Sequence, residues 1–448
     1  MRTAARPARR VAALVLAALA VSLAGPPPAS AHPPGSTERV SVASQSTAGG
    51  DNESMLASVS ADGRYVAFWS RASNLVPGDT NDTNDVFVHD RATGTTERVS
   101  VDSRERQSVG GDRDGLLDIN FGRPVISADG RYVAFATSAT NLAKGDRNQT
   151  VDIFLRDRAA GTTERVSMAD RKTEANGESS HPAISPDGRF IAYSSYADNL
   201  VPGDTGFAKD VFMLDRQTGT TERVSVNSAG EQANNDSDRA AISDDGRFVA
   251  FDSSASNLVS GDDDGAFDVF LRDRQAGTTE GVSVVAVEFG NTSISPAISA
   301  DGRFVAFESW ESGLVPDDTN NSFDIFVRDR VTGTLERVSV DSAGVQGDDW
   351  SLSPAISADG RFVAFQSFAG NLVVGDTNFD YDIFVHDRQA HTTIRASVRT
   401  DGTEGGLSLG SHNASISADG QVIAFDSEAA LAPEDIEFPV DIYVHDER

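Results

Sequence analysis

The 448-residue chain contains no cysteine. That absence excludes disulfides, cysteine-ligated metals, a thiol nucleophile and the lipidated cysteine that tethers a bacterial lipoprotein. Aromatic residues are only 7% of the chain, and positive charge is scarce, with 38 Lys and Arg against 68 Asp and Glu and a formal net charge of −30. A surface this acidic repels nucleic acid and anionic membranes and suits cations or a basic partner. Long hydrophobic runs are also lacking, except for residues 11–25. Arg2, Arg6, Arg9 and Arg10 precede that run and Ala29-Ser30-Ala31 follows it, so residues 1–31 read as a signal peptide. The run is too short to span a bilayer comfortably. The expectation is an exported monomer with no membrane insertion, secreted or held in the cell envelope. Residues 32–448 keep 34 basic against 68 acidic side chains, a charge of −34.

What the chain has instead is a repeat. A small-residue strand runs into Asp-Gly and a second apolar strand seven times, as in Ile184-Ser185-Pro186-Asp187-Gly188-Arg189-Phe190-Ile191-Ala192. The anchors are Asp62, Asp129, Asp187, Asp245, Asp301, Asp359 and Asp419, spaced by 67, 58, 58, 56, 58 and 60 residues. Such a period marks a repeat architecture. Each copy divides into four short pieces rich in Val, Ile, Phe and Thr, punctuated by Gly and Asp, which read as strands. The middle pieces, such as Phe248-Val249-Ala250-Phe251, are apolar on consecutive residues, as expected when both sheet faces are covered. The fold class is therefore all-β: a seven-bladed β-propeller of four-stranded antiparallel blades over residues 32–448. The last copy lacks its fourth strand, and Thr37-Glu38-Arg39-Val40-Ser41-Val42 is an unattached copy of one. These residues are expected to complete the last blade and close the ring, removing exposed sheet edges.

Ser185-Pro186-Asp187-Gly188-Arg189-Phe190-Ile191-Ala192-Tyr193, followed by Asp210-Val211-Phe212-Met213-Leu214-Asp215, resembles the WD-like propeller repeat of the TolB type. The resemblance covers nearly the whole chain after the signal and implies the propeller fold. TolB itself has six blades and an added N-terminal domain, so an envelope role of the TolB kind is a fold-level analogy.

Residues present in every copy are expected to build the repeat. That applies to the serine two residues before each anchor (Ser60, Ser127, Ser185, Ser243, Ser299, Ser357, Ser417) and to the Asp-Arg pairs that end the third strand, such as Asp90-Arg91. His89, His386 and His445 share a position with Arg156, Arg272 and Arg328, which reads as an exposed polar site. The linkers between second and third strands and between blades are long and lie on one face, so ligands are expected there.

On that face two acids six residues apart recur in every blade. The fullest copies are Asp79, Asn81 and Asp85, and Asp376, Asn378, Asp380 and Asp382. Clustered carboxylates and amide oxygens in a short loop are what calcium favours; the alternative is that they form Asx-turns. Departures from the repeat carry the binding candidates: Asp348-Asp349-Trp350, Phe379 and Tyr381, together with the insertion at 104–123. Aromatics beside acids suit a protein segment or an extracellular glycan. The function expected is a non-catalytic protein-binding or scaffolding propeller, calcium-stabilised. The alternative is a calcium-dependent lyase or hydrolase at the central channel mouth. An enzyme should concentrate unrepeated polar residues there, whereas a binder should spread them across loop tips.

Overall fold

The computed structural model describes residues 35–109, 121–169, 173–262, 265–283, 292–406, 409–433, 435 and 439–447. Residues 1–31, read above as a signal peptide, and residues 110–120 of the insertion lie outside them. The described residues form seven four-stranded antiparallel sheets. Blades 1 to 6 occupy residues 54–98, 125–165, 179–223, 237–281, 293–337 and 351–395. Blade 7 takes three strands from residues 411–446, and its fourth is Ser36–Arg39, which pairs antiparallel with Asp441–Asp446 in the register Ser36↔Asp446 to Arg39↔Tyr443. The ring is closed by the N-terminal strand, as its sequence requires.

No blade has a core of its own. Seven apolar clusters lie between neighbouring blades; the one between blades 2 and 3, for example, joins Ala134, Ile153 and Leu155 to Ile191, Tyr193 and Phe212. Both sheet faces are thus buried, which explains the consecutive apolar residues. One ring pair recurs in every blade between second and third strands, from Phe68–Phe87 at 6.0 Å to Phe425–Tyr443 at 6.1 Å.

The repeated polar residues shape the blade ends. Ser60 Oγ donates to Asp62 Oδ1 at 2.7 Å and accepts the Tyr65 N–H at 2.9 Å, fixing the Asp-Gly turn. The same pair of bonds recurs around Ser185 and Ser357. Gly188 follows at φ +68°, and a Cβ there would lie 2.3 Å from the Tyr132 ring of the preceding blade, so both backbone and packing demand glycine. The residue before each anchor links blades through its backbone: Ala358 N–H donates to Ala418 O at 2.9 Å, and Ala418 N–H to Ala61 O at 3.0 Å across the closure.

Asp90 receives a bidentate pair from Arg64, at 2.8 and 2.7 Å. The arginine that follows the same aspartate in the next blade, Arg158, reaches back to Glu97 of blade 1 at 2.5 Å, and Arg64 and Arg158 both lie over the Tyr65 ring, at 4.7 and 4.6 Å. At the closure Arg91 bonds both Glu38 and Asp446, tying the N-terminal strand to blade 7. One seam lacks this clamp: between blades 6 and 7 the acid is replaced by Ile394 and the arginine by Glu447.

One expectation is corrected. His89, His386 and His445 are buried, not exposed, and each Nδ1 lies 2.8–2.9 Å from a threonine hydroxyl (Thr96, Thr393 and Thr37). Arg156 at the same position is buried as well and carries its charge outward to Glu105 at 2.7 Å. Interchange of His and Arg marks a long side chain threaded between strands.

Candidate functional site

The first strands are innermost. In the six blades other than blade 2 each has a bulge, with the residue six before the anchor at positive φ: Leu56, His181, Arg239, Ser295, Ser353 and Asn413. A bulge frees a backbone N–H from the ladder. In four of these blades the neighbouring blade supplies its acceptor from the residue seven after that blade's anchor. Leu56 N–H donates to Asp426 at 2.8 Å, Ser295 N–H to Asp252 at 3.0 Å, Asn413 N–H to Gln366 at 2.9 Å, and Ser353 N–H to Glu308. Burial pushes the Asp252 carboxyl up to about 6, against the pull of Arg239, and the Glu308 carboxyl up to about 7. At the seam of blades 3 and 4 the contact is of another kind: Asp238, on the first strand of blade 4, lies 2.9 Å from His181 Nδ1 and 3.0 Å from Lys209 Nζ of blade 3. Burial raises the Asp238 carboxyl, but its contacts with His181 and the Lys209 ammonium outweigh that and hold it far below the usual range. Arg123 of blade 2 donates to Ala414 O at 2.9 Å, reaching blade 7. Unrepeated ionisable residues therefore do gather on the inner ring, where the carboxylates hold neighbouring blades together.

The recurrent acid pairs are brought together as the spacing implied, and a cation lies between them. Arg98, from the fourth strand of blade 1, sits 2.8 Å from Asp79 and 3.3 Å from Asp85. Asn81 donates to Asp85 at 2.9 Å, and Ser100 and Ser108 donate to its other oxygen. In blade 6, Arg395 lies 3.3 Å from Asp376, 3.1 Å from Asp382 and 3.0 Å from Glu404, while Asn378 donates to Asp382 at 2.9 Å. Burial and the neighbouring Asp382 push Asp376 up to about 6 despite Arg395. Asp380 stands apart, its Oδ1 accepting the Tyr381 N–H at 2.8 Å. Arg165, Arg223, Arg337 and Arg39 bridge the pairs of four other blades; in blade 4 the arginine's place is taken by Gly281.

Of the aromatic candidates, Trp350 and Tyr381 join an aromatic rim on the loops of blades 5 and 6, and Phe379 does not. Trp350 packs with Trp310 and Phe323, ring centroids 5.3–6.3 Å apart. Tyr381 meets Phe368 at 5.4 Å and His412 at 5.3 Å. The two groups are joined because Phe368 N–H donates to Trp350 O at 2.8 Å. Trp310 is 42% and Trp350 41% exposed, whereas the third tryptophan, Trp69, is 1% exposed in the core. Phe379 stands at the tip of its loop, 81% exposed and at φ +57°, a conformation that disfavours phenylalanine. Asp348 and Asp349 flank the rim: Asp348 N–H donates to Asn371 at 3.1 Å, and Asp349 accepts the Trp350 N–H at 2.8 Å. Burial, then Asp349, Asp380 and Glu308, raise the Tyr381 phenol.

Sequence reasoning missed Trp310, Phe323 and Phe368. The signal was available. Trp310 and Phe368 directly follow second strands and Phe323 and Tyr381 directly precede third strands, so blades 5 and 6 are aromatic at both positions, whereas blades 3 and 4 carry one aromatic each, Tyr196 and Phe267, and blade 1 has Arg71 and Asn84.

No protein-family model matches the chain, and no curated protein matches it. Among solved structures it is similar to oligogalacturonate lyase from Vibrio parahaemolyticus, with 13% identity and TM-score 0.54, over 92% of this chain and 97% of that one. It is also similar to the β-propeller domain of the Trilobed protease from Pyrococcus furiosus, with 10% identity and TM-score 0.54, over 89% and 96%. It is also similar to TolB from Acinetobacter baumannii, at 14% identity and TM-score 0.42, over 77% of this chain and 63% of that one. At these identities the likeness is one of fold alone.

Proposed function

We propose that this propeller is an exported binding module whose ligand docks on the long-loop face, over the aromatic rim of blades 5 and 6. The observation that carries the reading is the pair of tryptophans, touching each other and each about two-fifths exposed. Exposed large apolar groups in one patch mark interaction sites, and tryptophan is prominent among the residues that dominate binding energy. Among the described residues, seven of the eleven exposed large hydrophobic residues belong to the loops of these two blades: Trp310, Val345, Trp350, Phe368, Val374 and Phe379, and Val331 on a short turn.

The enzyme reading draws on the inner ring. Its carboxylates, however, already accept bulge N–H groups, and uncharged Gln366 does the same work in blade 6. That shared duty supports a structural role there and leaves binding to the rim. Calcium is not needed at the loops of blades 1 and 6, where Arg98 and Arg395 already lie between the acids.

The test is capture of ligands from the envelope and medium of the producing cells by the purified protein and by its Trp310→Ala and Trp350→Ala variants, with and without calcium. Loss of the captured ligand in both variants is expected. Equal capture by all three proteins, or turnover of a small molecule that survives both substitutions, would refute a rim site.

A further inference from the structure

The rim's third-blade counterpart shows what kind of group this position receives. There Tyr196 directly follows the second strand, as Trp310 and Phe368 do, and Lys209 directly precedes the third, as Phe323 and Tyr381 do. The Lys209 ammonium lies 5.2 Å from the Tyr196 ring centroid and 3.0 Å from Asp238. Lys209 is 9% exposed, so a nearly buried ammonium is held between an aromatic face and a carboxylate. Both contacts favour a cation over a neutral group of the same shape.

In blades 5 and 6 the lysine is replaced by a ring, and no internal cation takes its place. Residues 308–324, 346–352 and 366–382 contain ten carboxylates and no lysine or arginine. Arg337 and Arg395 account for Asp318, Asp324, Asp376 and Asp382, and Glu308 and Glu311 are buried; Asp317, Asp348, Asp349 and Asp380 are the carboxylates these loops present beyond those two bridges. The exposed faces of Trp310 and Trp350 therefore lie in a negative field, on a chain whose net charge is −30.

We infer that the ligand of the aromatic rim is a basic protein segment, presenting lysine or arginine side chains to Trp310 and Trp350 beside Asp348 and Asp349. This rests on the binding reading above and names the chemistry of its ligand. Tryptophan gives the strongest cation–π contact of the aromatic side chains, and rim carboxylates add steering and selection against acidic partners.

The experiment uses a short glycine-spaced peptide with three lysines, its trimethyl-lysine form, its norleucine form and a neutral hexasaccharide. Binding to the purified protein is read by tryptophan emission and calorimetry at low and moderate salt. Lysine and trimethyl-lysine peptides should bind, and norleucine should weaken binding at least tenfold. Trp350→Ala and Trp310→Ala should each weaken it about fivefold or more, with Trp350→Phe recovering part of the loss and melting temperatures unchanged. Asp348→Asn with Asp349→Asn should weaken it and flatten the salt dependence. Lysine-peptide binding that ignores both tryptophan substitutions would be diffuse attraction and would overturn the inference. Tryptophan-dependent binding of the norleucine peptide or the saccharide would overturn it while sparing the binding surface. No ligand response at either tryptophan would remove both.

Discussion

Glu308→Gln isolates the energetic cost of building the inner ring with acids. Glu308 is 5% exposed; it accepts the Ser353 N–H through one oxygen and lies 3.3 Å from Ser295 Oγ through the other. Burial raises its carboxyl from the ordinary 4.5 to about 7, with nearby Asp252 adding to the rise and Arg239 opposing it. The native state therefore holds that proton on the order of 300-fold more tightly than the unfolded chain, a difference of about 3 kcal/mol. Because the folded value is the higher one, this stabilisation is complete below about pH 4.5 and fades as pH rises through about 7. Glutamine keeps the acceptor without the charge, as Gln366 does at the same position of blade 6. The variant should match the wild type to within about 0.5 kcal/mol near pH 4.5 and exceed it by about 2–3 kcal/mol near pH 8.5. Urea unfolding of both proteins across that range measures the gap. A gap independent of pH, or a wild type that gains on the variant as pH rises, would refute the account of Glu308 as a buried acid retained for its hydrogen bonds.

Arg395→Met leaves Asp376, Asp382 and Glu404 facing one another without their guanidinium. It should cost about 3 kcal/mol near pH 8 and less near pH 5, as Asp376, raised to about 6, takes up a proton; a loss below about 1 kcal/mol in urea unfolding at pH 8 would contradict the bridging role. Ile394→Glu combined with Glu447→Arg restores the clamp missing between blades 6 and 7 and should add about 1 kcal/mol, the two changes gaining more together than separately. Deleting residues 35–42 removes the last strand of blade 7 and bares Asp441–Asp446 as an edge. Self-association on size-exclusion chromatography and a lower melting temperature are expected, and an unaltered monomer would argue against closure as a source of stability.

Much of this architecture was legible because repetition makes one chain its own alignment. The Asp-Gly anchors implied seven blades, the stray Thr-Glu-Arg-Val strand implied the closure, and the recurrence of Ser60 and its six equivalents assigned them to building the repeat, while their bonds within the Asp-Gly turns came only with the structure. The acid pairs were read correctly as pairs. Their partner was not found, since Arg98 stands 13 residues beyond Asp85 on a different strand and only sheet pairing brings it back. The buried histidines were misread for a related reason: polar identity alone does not distinguish a solvated side chain from one threaded between strands to a threonine.

The sequence by itself determined the fold, its sevenfold order and the manner of closure, because strand periodicity and turn chemistry are local and are stated seven times over. Tertiary structure alone decided which unrepeated residues act together. Trp310, Phe323 and Trp350 are spread over 41 positions of the chain and two different connections, yet their rings touch. Asp252, Glu308, Gln366 and Asp426 differ in chemistry but meet the same need, an acceptor for a bulge N–H in the next blade. Such groupings arise where neighbouring blades converge on the axis, a contact that no spacing within one repeat encodes.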